Sequence, residues 1–153
     1  MNRILPAVVV LCVASAPLSA QAVLKGLTGI NVGVLIEDQI QKQHRDLQYT
    51  IQRDVEVKAR VAGLEILSSA DLMSKPRFTI SVVGSNGPGF FVTFAFAEPA
   101  FLERDRTIRV QAATWLRQGV VFSLDENEIR RTVKDWTDEF LSDWIIQNPR
   151  PRQ

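Results

Sequence analysis

Apolar and polar residues alternate along several stretches of the chain, and each of these stretches predicts a β-strand. The clearest is at residues 30–37, where Ile30, Val32, Val34 and Ile36 occupy every second position. This period of two is typical of a strand that buries one face. A short apolar run, Leu64 to Leu67, predicts a second strand.

A helical period separates these two strands. Apolar residues recur there at intervals of three and four, the spacing of one helix face: Leu47, Ile51, Val55, Ala59 and Ala62. Gly63 follows as a residue suited to a helix C-cap. The order strand, helix, strand predicts a βαβ unit with parallel strands and a right-handed crossover.

Three further strand patterns follow in succession. Phe78, Ile80 and Val82 alternate with small polar residues, and the turn-rich segment 84–89 leads into an apolar run over residues 90–97 that can extend through Leu102. Glycine and asparagine in that turn favour a hairpin between the two strands. Pro99 has no amide donor, which favours a bulge or an edge position.

The next chain reversal is predicted at Arg104-Asp105-Arg106. Ile108, Val110 and Ala112 then alternate with polar residues, which predicts a strand that ends near Trp115 and resumes over residues 119–122. Strands joined by short turns form an antiparallel meander.

The last element is predicted to be a long helix. Ser123 and Glu126 stand at capping-box spacing, which predicts the start of the helix. Its apolar positions again follow a helical stripe, which we interpret as core: Ile129, Val133, Trp136, Phe140 and Trp144. Residues 148–153 contain two prolines and are predicted to be a short disordered tail.

These elements, in the order β-α-β-β-β-β-α, predict an α+β fold. It is a two-layer α/β sandwich in which two helices cover one face of a mixed sheet. The opposite face is then predicted to present Phe91, Thr93, Arg109, Gln111 and Trp115. Antiparallel sheets often have one solvated face, which is one interpretation of this surface. The other is a contact face for a protein partner or a second subunit, with Phe91 and Trp115 as anchors.

The N-terminus has the three parts of a secretory signal peptide. Met1-Asn2-Arg3 is a short positive region, Ile4 to Val13 is an apolar run, and Ala20 and Ala22 form an A-x-A cleavage site. Cleavage is expected after Ala22, which predicts a periplasmic or secreted protein. The apolar run is too short for a transmembrane anchor, and Leu11 ahead of Cys12 argues against lipid attachment.

Loss of residues 1–22 changes the composition of the remaining chain. That segment holds Arg3 and Cys12, so residues 23–153 have 17 basic against 17 acidic side chains and no cysteine. Nucleic-acid binding usually needs a basic excess, so a nucleic-acid partner is not expected. The composition fits a single α/β domain over residues 23–147 that relies on its core rather than on disulfides.

Signatures of catalysis are sparse. His44 is the only histidine, so neither a Cys/His metal cluster nor a convincing Ser-His-Asp triad can be assembled. The glycines at 84, 87 and 89 do not follow a nucleotide-binding pattern. We therefore predict no catalytic residue, no cofactor and no metal. One alternative stays open, because Glu37 and Asp38 follow a parallel strand and could form a small-molecule or hydrolase site with His44.

Two stretches of the chain, residues 53–67 and 129–140, resemble those of small exported bacterial proteins of unknown function. The element order is similar to that of the α/β N-terminal domain of the periplasmic protein TolB and of related envelope lipoproteins. Proteins of this second group act through protein contacts. The resemblance therefore implies a binding module and assigns no residue a role.

The function that follows from these observations is an exported, non-catalytic module. It is expected to bind a protein partner or itself, or to associate with the cell envelope, through the open sheet face or an exposed edge strand. A small-molecule-binding protein or hydrolase with a site at Glu37, Asp38 and His44 is the alternative.

Overall fold

A computed structural model describes residues 23–68, 74–85, 89–123 and 125–149. These residues form an α+β fold, as the sequence pattern predicts. The elements are β1 (Gly29–Ile36), α1 (Asp38–Gln43), α2 (Leu47–Ala62), β2 (Glu65–Ile66), β3 (Arg77–Gly84), β4 (Phe90–Leu102), β5 (Asp105–Val121) and α3 (Glu126–Gln147). The predicted signal peptide at residues 1–22 lies outside the described residues.

The five strands form one mixed sheet in the order β2-β1-β3-β4-β5. Strand β1 is parallel to β2 on one side and to β3 on the other, whereas β3, β4 and β5 are antiparallel neighbours. The predicted parallel pair β1–β2 and the hairpin β3–β4 are confirmed. The place of β1 between β2 and β3 was not predicted, because strand patterns do not reveal which strands become neighbours.

Helices α2 and α3 bury their predicted apolar stripes against one face of the sheet. The four residues of α2 that face inward are Leu47, Ile51, Val55 and Ala59. In α3, Trp136 is half-buried, and Phe140 lies at the centre of an aromatic cluster, 4.2 Å from the ring of Phe78 and 5.6 Å from that of Trp115. Within the described residues, no helix is long and apolar enough to cross a membrane.

The helix ends show one confirmed and one wrong prediction. Gly63 adopts a left-handed conformation with φ 105° and caps α2 by donating its N–H to Ala59 and Arg60, as expected. The N-cap of α3 is Asp125 and not Ser123, because the Asp125 carboxylate accepts the Asn127 N–H at 3.0 Å. Ser123 instead accepts the Asp125 N–H one step upstream.

Strand β5 differs from its prediction in a way that changes one face of the sheet. It is continuous over 17 residues and begins at Asp105, so the reversal precedes Arg106. Phe96 pairs with Trp115 and Ala97 with Ala113, so Thr114 is an extra residue that forms a bulge. The bulge shifts the alternation by one residue and turns Trp115 towards the helices, where it is only 8 % exposed. The prediction that Trp115 anchors the open face is therefore wrong.

The C-terminal end of α3 is tied to the first described residues. Asn148 caps the helix and also accepts the Gly26 N–H at 2.7 Å and donates to the Leu24 carbonyl at 2.8 Å. The Trp144 indole donates to the Leu27 carbonyl at 2.8 Å. Asn148 thus belongs to the folded domain rather than to the predicted tail, and residues 150–153 lie outside the described residues.

Candidate functional site

The face of the sheet opposite the helices is open, and the strand register arranges its side chains in rows. One row runs across four strands through Leu35, Ser81, Thr93 and Gln118. The row beside it contains Val83, Phe91 and Val120, and the row on its other side contains Gly33, Thr79, Ala95 and Leu116. Paired residues on neighbouring strands lie close enough for direct side-chain contact, so these rows form one surface.

An apolar patch dominates this surface. Val83, Phe91 and Val120 are exposed to 42, 39 and 42 %, and together they form one complete row. Leu35 and Leu116, at the two outer strands of the surface, are more exposed still. We call Val83, Phe91 and Val120 the apolar row, and Leu35 and Leu116 its flanks. The three side chains of the row are contiguous, whereas the Thr93–Gln118 pair separates Leu116 from them. An exposed apolar row of this kind is typical of a contact surface rather than of a solvated one.

The rest of the open face is polar, and its charge near the central rows comes from Arg77, whose guanidinium lies against Gly33. Thr93 and Ser81 offer hydroxyl groups, and the Gln118 amide donates to the Thr93 hydroxyl at 3.4 Å. The seven ion pairs found among the described residues all include a residue of the helix side. The apolar row and the hydroxyl and amide groups beside it lose little hydration energy when a partner covers them, because the costly step is the burial of unpaired charge.

Two of the predicted face residues lie away from the patch. Strands β4 and β5 continue beyond the end of β3 as a two-stranded arm. On this arm the Arg109 guanidinium lies 5.5 Å from the centre of the Phe101 ring, and Gln111 donates to the Lys75 carbonyl at 3.4 Å. Of the five predicted face residues, only Phe91 and Thr93 therefore belong to the central surface.

Four residues of the patch, Leu35, Val83, Leu116 and Val120, are absent from the five that the sequence analysis named for this face. Val83 follows Thr79 and Ser81 at the same period of two, so its position on this face could have been predicted. Leu116 and Val120 follow the bulge at Thr114, in a region where the strand was predicted to break near Trp115, so they were assigned to no face. No signal in residues 112–119 marks the phase change, since apolar, small and charged residues follow one another there without a clear period.

The two edges of the sheet differ in how they are closed. Strand β2 covers only the first two residues of β1, and beyond it the Gln48 side chain donates to the Val34 carbonyl at 2.9 Å. Strand β5 pairs with β4 on one side and forms the other edge along its whole length. A long edge strand offers unpaired backbone groups to an incoming strand.

The alternative site at Glu37, Asp38 and His44 is divided by a helix. Glu37 is the N-cap of α1, and its carboxylate accepts the Gly84 N–H at 2.6 Å. His44 caps the opposite end of this helix, where its Nδ1 lies 3.2 Å from the Glu126 carboxylate and its ring meets Phe90 edge-on. The Glu37 carboxylate and the His44 imidazole thus have separate partners. Within the described residues, no group of three His, Cys, Asp or Glu side chains could hold a metal ion.

Comparison with protein-family models, with curated proteins and with solved structures found no match for this chain. The resemblances to small exported bacterial proteins and to the TolB N-terminal domain therefore stay predictions. The candidate surface is assigned on its own geometry.

Proposed function

We propose that this protein is an exported, non-catalytic interaction module that binds another protein through the open face of its sheet. The observation that carries the proposal is the exposed apolar row of Val83, Phe91 and Val120 with its flanks Leu35 and Leu116. These side chains lie on one surface formed by four strands and are themselves uncharged. Apolar and aromatic side chains at the centre of an interface contribute most of its binding energy.

The size of this surface favours another protein over a second copy of the chain. Three rows across four strands cover about 20 Å by 20 Å, which is about 400 Å². A stable dimer buries about 800 Å² on each partner. The open face alone supplies about half of that area, so two copies stacked face to face would form a weak dimer.

The open edge of β5 supplies the remaining contacts. Leu116 and Val120, which belong to the patch, are residues of this edge strand. An extended apolar segment of a partner can pair its backbone with β5 while its side chains cover the exposed row. We therefore propose a partner that presents such a segment, and that contacts the face and the edge together.

A matched pair of variants tests this function. The exposed apolar residues Phe91 and Val120 are both replaced by Asp in one variant, and Tyr49, an exposed aromatic residue of α2, is replaced by Asp in the control. Residues 23–153 of each form serve as bait in extracts of the source cell envelope. We expect the same bound proteins for the wild type and Tyr49→Asp, and their loss for Phe91→Asp/Val120→Asp.

Two outcomes would contradict the proposal. Identical bound proteins for all three baits would show that the open face makes no contribution. A wild-type chain that sediments as a dimer, with the double variant as a monomer, would show that a second copy covers the face. Circular dichroism of the double variant checks that its fold is intact.

A further inference from the structure

Helices α2 and α3 leave an apolar groove between their C-terminal halves. The groove has a volume of about 860 Å³ and opens to solvent, since Val61 is 79 % exposed. Its lining is mainly apolar and comes from both helices: Val57, Val61, Ala62, Leu141, Trp144 and Ile145. Sites for small molecules are mostly apolar and have volumes of about 300–1,000 Å³, so the groove has the size and lining of such a site.

A basic cleft adjoins the groove, towards the N-terminal halves of the same helices. Among the described residues, four cationic side chains line this cleft: Arg53, Lys58, Arg130 and Lys134. The Asp54 carboxylate lies between them, accepts a hydrogen bond from Arg130 at 3.0 Å and pairs with Lys134 at 3.1 Å. A second carboxylate, that of Asp138 at the groove margin, binds Lys58. Four cations thus face two carboxylates, which leaves the cleft positive.

Arg53 carries the part of this charge that the two carboxylates do not meet. It is exposed, and it enters none of the ion pairs found among the described residues. A guanidinium presents parallel N–H donors that match the two oxygens of a carboxylate. The basic cleft is therefore suited to receive an anionic group at Arg53.

The basic cleft and the apolar groove form one continuous depression, because Val57 and Lys58 line both of them. Lys58 lies where the positive surface gives way to the apolar one. The part of α3 that lines the groove, from Asp138 to Asn148, spans about 15 Å, so the apolar portion is elongated. A molecule that fills the whole depression has an anionic group at one end and an apolar chain at the other.

We propose that this depression binds a fatty acid, with its carboxylate at Arg53 and Lys134 and its alkyl chain along the groove. The excess positive charge of the cleft complements the anionic head group, and the groove lining complements the chain. A small inorganic anion would leave the groove unfilled, and a fully apolar molecule would leave the cations without a partner. The site lies on the helix side and is independent of the contact surface on the open sheet face.

A fluorescent fatty acid provides the test. The probe is cis-parinarate, whose fluorescence rises in apolar surroundings, and its methyl ester has the same chain without the charge. Both are titrated into the full chain, residues 1–153, at concentrations at which they are monomeric. The head-group variant is Arg53→Gln/Lys134→Gln, in which the Asp54 carboxylate keeps its hydrogen bonds from Arg130.

Each variant has a control with the same chemical change elsewhere in the chain. Arg104→Gln/Arg106→Gln removes two exposed cations at the turn between β4 and β5. The groove variant is Val61→Asp, and its control is Val83→Asp, which changes an exposed valine of the open sheet face. Circular dichroism of all four variants checks that the fold is intact.

We expect cis-parinarate to bind the wild type saturably. The head-group variant loses charge-assisted contacts, and the groove variant places a charge beside the alkyl chain. Each should therefore raise the dissociation constant at least about tenfold, whereas both controls should bind as the wild type does. The methyl ester should bind the wild type at least about tenfold more weakly than the acid, because it lacks the anionic group.

Several results would overturn the proposal. The first is a wild type that does not bind cis-parinarate saturably, and the second is a variant that binds it as tightly as its own control. Equal affinities for the acid and the methyl ester would show that the basic cleft does not hold the head group. Sedimentation of the chain with phosphatidylglycerol vesicles, without binding of monomeric cis-parinarate, would assign the depression to a membrane surface instead.

Discussion

The two faces of the central sheet are made from alternate residues of the same strands, yet they differ in almost every property. On the helix side, Phe78, Ile80 and Val82 of β3 are buried, as are Val92, Phe94 and Phe96 of β4. On the open side, the intervening positions hold small, hydroxyl-bearing or exposed apolar residues. The residues of the helix side are apolar because they pack against the helices. The second face is exposed and apolar without a structural need, which is why we assign function to it.

Charge separates the open face from the other exposed surface of the molecule. The outer side of the helices carries opposite charges in contact, such as Arg130 with Asp54 and Lys58 with Asp138. The apolar row of the sheet has no ion pair among the described residues. A surface that stays in water tolerates charges easily, whereas a surface that becomes covered is depleted of them.

The largest expected effect is a difference in the free energy of unfolding between variants of two adjacent residues of β5, Trp115 and Leu116, which lie on opposite faces of the sheet. Trp115→Ala should lower the free energy of unfolding by about 3–5 kcal/mol, because it removes a ring packed against Phe94 and Phe140. Leu116→Ala should lower the free energy of unfolding by less than about 1 kcal/mol, since Leu116 is 47 % exposed. Urea denaturation of both variants measures the difference. If Leu116→Ala were the more destabilising change, the bulge at Thr114 would not exist.

A smaller effect is expected from the ion pairs of the helix side. Burial raises the pKa of Asp54, but the hydrogen bonds and charges of Arg130 and Lys134 outweigh it and hold this pKa below its usual value. Ionised Asp54 therefore stabilises the fold above the unfolded-state pKa, and this stabilisation is lost as the pH falls through the lower folded-state pKa.

Asp54→Asn should reduce the free energy of unfolding by about 1 kcal/mol at pH 7. The difference from wild type should begin to shrink below about pH 4, where the Asp54 carboxylate of the unfolded chain becomes protonated, and should shrink further as the pH falls through the lower folded-state pKa. Urea titrations at pH 7 and pH 3 measure it. A difference that does not depend on pH would show that lost packing, not lost charge, is responsible.

The smallest change in stability is expected at Glu98, which lies beside the bulge at Thr114 where the alternation of β5 shifts by one residue. Burial raises the pKa of Glu98 and outweighs its hydrogen bond with Thr114, which acts in the opposite direction. The folded state therefore favours the protonated carboxyl, and its contribution to stability is lost as the pH rises through the folded-state pKa.

Glu98→Gln should stabilise the fold at pH 7 by up to about 0.5 kcal/mol. This gain should disappear below about pH 4, where the wild-type side chain is protonated as well. Thermal unfolding at the two pH values provides the measurement. A loss of stability at pH 7 would mean that the charged form is the one that the fold stabilises.

The fold follows from the sequence to the extent that its periods are regular. In β1, β3 and α2 the buried apolar residues keep one phase, so the elements and their buried faces could be predicted. Helix α1 was missed because its six residues are polar apart from Ile40, which is buried. A short helix of this kind forms through tertiary contacts and carries no periodic signal of its own.

The candidate site was predicted only in part, for a reason that lies in β5. Phe91 and Thr93 were assigned to the open face because β4 keeps its alternation through Phe96. Trp115 was assigned to the wrong face, and Leu116 and Val120 to none, because one inserted residue, Thr114, reverses the phase of every residue after it. The insertion is visible only once the partner strand and its register are known.

Site-specific photocrosslinking in the source cells tests the central claim most directly. A benzophenone amino acid replaces Phe91 in one chain and Tyr49 in the other, so both probes stand where an exposed aromatic residue was. We predict, after irradiation, an adduct of this chain with a different protein from position 91 and none from position 49. No adduct from position 91, or the same adduct from both positions, would contradict an interaction surface on the open sheet face.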